Sequence, residues 1–227
     1  GILLIWIFSL PLWKMSGSGG GHAGEQAGIR AALRVPGVVL TLIAFFAYCA
    51  GEATCFLWTS SYFAGTKEGM SQELIASCGS LVFGGLMVGR LIAGFISDQL
   101  GDKRLIRIGI AVEAAGILLI LVPAGGYALA MLGFLVTGIG MGPVYPSIQH
   151  MAPEHFGRTY SAAVIGLQMA AAYVGSTFKP AVFGFLQQNI GIGIMPGYLM
   201  MFAVLNFAFL EPAYRAIAKS AAEKSRN

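Results

Sequence analysis

Between residues 38 and 210 the chain is a succession of six apolar runs, at roughly 38–64, 74–100, 105–122, 128–151, 160–187 and 195–210, separated by short polar turns. The hydrocarbon core of a bilayer is about 30 Å thick, a distance that about 20 helical residues cross. Runs of this length are too long for strands, and in lipid the backbone must satisfy its own hydrogen bonds, so helices follow. The fold class is an all-α membrane protein, a bundle of six transmembrane helices. Composition agrees, because only 11% of residues are charged against about 25% in soluble domains. The mean hydropathy is +0.74, and the 32 glycines suit helices whose backbones approach closely in lipid. The net charge of +4 lies in turns beside apolar runs, so the expected partner is a lipid bilayer and no nucleic acid.

Lys and Arg orient the bundle, because they favour the cytoplasmic side. Lys14, Arg30 and Arg34 precede the first run, and Lys103, Arg104 and Arg107 stand between the second and third. Arg158 lies between the fourth and fifth, and Arg215, Lys219, Lys224 and Arg226 follow the sixth. The alternate turns carry only Lys67. The expected topology has both ends of the bundle on the cytoplasmic side of a cell inner membrane, with the C-terminus cytoplasmic. The opening run, 1–12, is too short to span and reads as the end of a preceding transmembrane helix; no basic segment precedes it, so a signal peptide is not expected. Residues 13–35 read as a cytoplasmic Gly/Ser-rich linker, 36–217 as the bundle and 218–227 as a cytoplasmic tail. Cys49, Cys55 and Cys78 lack metal-ligand spacing and read as small apolar fillers. His150 and His155 read as loop residues, and neither a metal nor a cofactor is expected.

The turn between the second and third runs reads Gly94-x3-Asp98-x2-Gly101-x-Lys103-Arg104. This pattern resembles the signature loop of the major facilitator superfamily of transporters, departing from it at Gln99 and Asp102. The resemblance implies one half of a twelve-helix fold, built as nested inverted repeats, whose partner is the N-terminal six-helix half of the same protein. It also implies that Arg90, Gly94, Asp98, Gly101, Lys103 and Arg104 form a cytoplasmic gate. Residue identity shows no clear internal repeat. Three further stretches resemble the fucose permease-like branch, whose members are proton-coupled sugar symporters: Tyr48-x2-Gly51-Glu52, Gly138 to Gln149, and Gly166 to Ser176.

Candidate site residues follow from chemistry as well as from that resemblance. Glu52 lies deep in the first run, where an ionisable group costs several kcal/mol unless paired, neutral or hydrated, a setting that suits reversible protonation. It is the candidate proton-coupling residue. In the fourth run, Pro143 and Pro146 among alternating glycines each remove a backbone hydrogen bond, and interrupted helices commonly line transport cavities. Tyr48, Glu52, Trp58, Tyr145, Gln149, Gln168, Tyr173 and Lys179 are the candidate substrate contacts. Amides suit sugar hydroxyls and aromatic rings suit their C–H faces. Lys179, where the resemblance leads one to expect an apolar residue, is predicted by helix counting to share the depth of Glu52 and to pair with it. Glu113, in the third run, is assigned no role.

No nucleotide-binding Gly-x4-Gly-Lys pattern occurs, so the driving force is expected to be an ion or solute gradient. The function expected is proton-coupled symport of a small-molecule substrate, a sugar, by alternating access. An organic-anion or drug facilitator is the first alternative, which Lys179 favours. A non-transporting membrane scaffold is the alternative of another class. An enzyme is not expected, because no nucleophile–base pair is evident.

Overall fold

The structure is a computed structural model that describes residues 28–122 and 126–224. The segment 1–12, most of the 13–35 linker and residues 225–227 lie outside the described residues. All secondary structure among those described is helical. A short helix, α1 (Ile29–Leu33), precedes α2 (Val38–Thr66), α3 (Gln72–Leu100), α4 (Asp102–Leu121), α5 (Gly126–Met141), α6 (Val144–His150), α7 (Ala152–Ile190) and α8 (Met195–Lys224). With α5 and α6 as two pieces of one crossing, this is the six-helix bundle that the apolar runs require. Five crossings are long and apolar enough to span by themselves. The exception is α4, whose Asp102, Lys103, Arg104, Arg107 and Glu113 dilute a helix otherwise apolar.

Local chemistry sets the helix ends. Ser71 caps α3 by accepting a hydrogen bond from the Leu74 amide at 3.2 Å. Gly101, at φ 72, ends α3 and lets α4 begin at the next residue. Gly157, at φ 75, kinks α7 near its start. The last helix runs on to Lys224, past Pro212 and well beyond the expected boundary at residue 210. It therefore continues into the stretch 218–227 read as a tail.

The inverted repeat that residue identity hides is visible in packing. The most extensive helix contacts are α5 with α4, α2 with α7, α5 with α3 and α2 with α8. Exchanging α2, α3 and α4 for α5, α7 and α8 maps these four contacts onto one another, as an inverted repeat demands. α2 and α5 are thus the central helices of the two triplets. Glycine makes the α5 contacts close. A β-carbon at Gly85 or Gly89 of α3 would collide with the Leu135 or Ile139 carbonyl, and one at Gly138 with that of Val82. On the other side of α5, Gly133 and Gly140 face Gly116, Gly109 and the backbone of Glu113. Small residues at helix crossings are the expected glue where lipid offers no hydrophobic driving force.

Large side chains fill the spaces that remain. Phe45, Phe63, Phe134 and Phe183 are fully buried, and Phe63 and Phe134 meet Tyr62 in a three-ring cluster with centroids 5.4–5.9 Å apart. The least covered faces belong to α3, where Met87, Leu91 and Phe95 project one turn apart, and to α7, where Tyr173, Phe178 and Phe185 are exposed.

Candidate functional site

The site is built around a break in the fourth crossing, between α5 and α6. Pro143 has no N–H to continue the ladder, so the Gly142 amide serves both Gly138 and Ile139 carbonyls, at 3.1 and 3.3 Å. The chain turns there and resumes as α6. Opposite the break stands Glu52, the middle residue of the 29-residue α2 and so about 20 Å of helix from either end. The Tyr48 hydroxyl lies 2.8 Å from Glu52 Oε1 and 2.9 Å from the Met141 carbonyl at the end of α5. It has one proton for two acceptors. The Arg90 guanidinium of α3 approaches Glu52 Oε1 at 3.6 Å. Glu52 is mostly enclosed, with 15% of its side chain exposed, while Arg90 is 47% exposed; the cation therefore reaches the carboxylate from the open side.

Aromatic and thioether groups complete the wall. Arg90 stands 6.0 Å from the Tyr145 ring centroid, and that ring packs against Phe45 at 4.9 Å and Tyr48 at 6.3 Å. The Tyr145 hydroxyl donates to Met169 Sδ at 3.5 Å, and Gln149 Nε2 approaches the same sulfur at 3.9 Å. Four of the eight predicted substrate residues, Tyr48, Glu52, Tyr145 and Gln149, are thus gathered at the break.

The other four are elsewhere. Trp58 donates its indole N–H to the Pro180 carbonyl at 3.2 Å and stacks edge-on against Phe183. Gln168 is fully buried, and its amide makes no hydrogen bond to the described residues. Tyr173 is 71% exposed. The predicted pairing of Lys179 with Glu52 is corrected: the cation within 4 Å of Glu52 is Arg90, and Lys179 Nζ lies 5.7 Å from the Phe46 ring centroid. The depth expected of Lys179 agrees with the packing, since Gly175 abuts Ala50 and Gly184 abuts Trp58. Its direction differs, because residue counting fixes height along a helix and not azimuth. Sequence reading also passed over Asn206 of α8, 1% exposed with an unpartnered amide, and Met169. A polar amide inside the sixth apolar run was the available signal for Asn206.

Arg90, Gly94, Asp98, Gly101, Lys103 and Arg104 share a second feature, a cavity of about 880 Å³ at the basic end of the bundle. His150 Nδ1 and Asp102 Oδ2, 2.8 Å apart, tie α6 to α4 at its wall. Arg107 holds Glu211 with contacts of 2.8–3.2 Å, joining α4 to α8. His155, also on this wall, is held below the ordinary histidine value by burial and then by Lys103. Arg90 belongs to both places: it lines this cavity and reaches Glu52.

The geometry defines a polytopic membrane protein with a carboxyl–phenol–guanidinium cluster, carried by α2 and α3, against a broken helix. The sequence profile described as Major Facilitator Superfamily matches residues 1–178 and 40–226, and the chain belongs to that family of transporters. It is 27% identical over 159 residues to an uncharacterized MFS-type transporter, YttB, of Bacillus subtilis (strain 168), covering 68% of this chain and 40% of that one. It is 33% identical over 103 residues to an uncharacterized 38 kDa protein in the 23S RNA operon of Thermoproteus tenax, covering 44% of this chain and 26% of the relative. The chain thus spans less than half the length of these curated relatives. Among solved structures it is similar to FucP, a major facilitator transporter in its outward conformation, with a TM-score of 0.71 at 16% identity. That likeness covers 86% of this chain and 47% of FucP. A variant of the E. coli fucose:proton symporter FucP gives 0.70 at 16%, over 85% and 47%. At such identity the likeness is one of fold.

Proposed function

We propose that this chain is the second half of a secondary active transporter in which Glu52 couples proton movement to symport of a small polar solute, a sugar. The observation that carries the reading is the Tyr48 hydroxyl shared between Glu52 and the Met141 carbonyl. With Glu52 ionised, Tyr48 donates to it, and Arg90 balances its charge. With Glu52 protonated, its hydroxyl donates to Tyr48, Tyr48 donates to Met141 at the helix break, and Arg90 loses its counter-charge. A proton on Glu52 therefore changes both the bonding at the break and the availability of a half-exposed guanidinium. Such a bistable arrangement is what ion coupling requires.

The choice of a sugar rests on the family-like stretches and on the rings and amides around the break, Tyr145 and Gln149 foremost. In this reading the open faces of α3 and α7 pack on the N-terminal half, and alternating access is the rocking of one half against the other. The basic end faces the cytoplasm, where the residues of the 880 Å³ cavity form the gate. The test is uptake of a labelled-sugar panel by the full-length protein in proteoliposomes, with and without an inward proton gradient. One sugar accumulated only with the gradient supports the reading. Transport of an organic anion and of no neutral sugar would replace it with the anion facilitator.

A further inference from the structure

Glu113 is a second carboxyl in the interior of the bundle, the twelfth residue of the 20-residue α4 and 4% exposed. Its backbone nitrogen packs directly on Gly140 of α5. The next residue along α5, Met141, is the one whose carbonyl accepts from Tyr48. Glu113 and Glu52 therefore approach the same break from opposite sides, on α4 and α2. The break joins the two: the Met141 carbonyl takes the hydroxyl that Tyr48 shares with Glu52, and the residue before it, Gly140, is packed on Glu113.

The surrounding charges do not balance. From α2 the titratable groups facing this region are Glu52, Tyr48, Cys49 and Cys55, and from α3 Arg90. α5 contributes none between residues 128 and 141, and α6 contributes Tyr145 and, at the basic end, His150, which Asp102 holds. α8 contributes Glu211, which Arg107 holds at the basic end, and Tyr214, whose ring lies beside Lys103 at that end. Two carboxyls thus face one cation. Arg90 and Tyr48 both address Glu52, while the Glu113 side chain makes no hydrogen bond or ion pair among the described residues. A surplus negative charge at this depth is unfavourable, and the group without partners is the one that takes a proton first.

We propose that Glu113 is a second proton-carrying residue of the Glu52 site. The two carboxyls bind protons as a coupled pair, the first on Glu113 and the second on Glu52, where the proton displaces Arg90 and turns the Tyr48 hydroxyl toward Met141. Each step is proton binding alone, so no covalent bond is made or broken in the chain. The inference rests on Glu52 as the proton-coupling residue and adds a partner to it.

The test needs no substrate, since the proton is the ligand. Acid-minus-alkaline infrared difference spectra of the full-length protein report each carboxyl that titrates, through the carbonyl stretch of its protonated form. Two such bands are expected in this region. Glu113→Gln removes one and moves the midpoint of the other by about one pH unit, the scale of interaction that makes two sites titrate as a pair. Glu52→Gln removes the second. If Glu113→Gln fails to fold, Glu113→Asp is expected to shift its band and the midpoint and not to delete them. A Glu113→Gln or Glu113→Asp spectrum identical to that of the unmodified protein overturns the proposal and leaves Glu52 untouched. Loss of a band in Glu113→Gln with none lost in Glu52→Gln overturns the pairing and the Glu52 reading together.

Discussion

Three side chains meet at the helix break, Glu52, Tyr48 and Arg90, and each became legible to a different degree. Glu52 and Tyr48 stand out in the sequence, because an ionisable group in mid-run has few structural excuses. Arg90 does not stand out as their partner. By position it belongs with the loop that follows, and only the crossing of α3 over α2 brings it 3.6 Å from Glu52. That contact is testable. Arg90→Gln leaves the carboxylate without its cation and is expected to lower the thermal stability of the solubilised protein, and Glu52→Gln in the same chain to recover most of the loss. The double-mutant cycle is expected to give a coupling of about 1 kcal/mol; strictly additive effects would remove Arg90 from the site. His155 offers a pH test outside the membrane spans. Burial and Lys103 lower its folded value below the ordinary 6.5, so the unfolded chain binds the proton more readily. Its contribution is present above the unfolded value and is lost as pH falls through 6.5 toward the folded one. Between about pH 7.5 and about pH 5.5 the melting temperature of the unmodified protein is expected to fall relative to that of His155→Gln.

At the scale of elements, the apolar runs located the crossings within a few residues, apart from the start of α7, which lies at Ala152 ahead of the Gly157 kink, because bilayer thickness leaves little choice of length. The end of α8 was the exception. The apolar run ends at residue 210, yet Glu211 is held by Arg107 and the helix continues past Pro212. Glycine content announced close packing but not its partners, since any helix face can serve until the crossing is known. The structure assigns them, with α3 and α4 both pressed on α5 through glycine. Gly89→Leu is therefore expected to destabilise the bundle by more than the 1–3 kcal/mol typical of overpacking, about 3 kcal/mol or above, because its neighbour is the Ile139 backbone. Gly197→Leu on α8, where a β-carbon meets nothing within 4 Å and away from the open faces of α3 and α7, is the control, expected to unfold as the unmodified protein does. Equal losses from the two would mean that the α3–α5 contact is not what holds these helices.

For the molecule as a whole, the internal symmetry was hidden in residue identity and plain in packing, where α2 with α7 and α8 mirrors α5 with α3 and α4. Backbone proximity can be conserved by any small residue, so the repeat needs no shared letters. The same symmetry puts the two central helices, α2 carrying Glu52 and α5 carrying the break, face to face at mid-depth. In the proposed reading, function belongs to that meeting point and to the half-exposed Arg90 beside it, not to any single motif. The measurement that tests this most directly is sugar uptake into proteoliposomes by the full-length protein and its Glu52→Gln variant, with and without an inward proton gradient. The account predicts accumulation that the gradient drives and that Glu52→Gln abolishes. Accumulation by Glu52→Gln that still follows the proton gradient would contradict it.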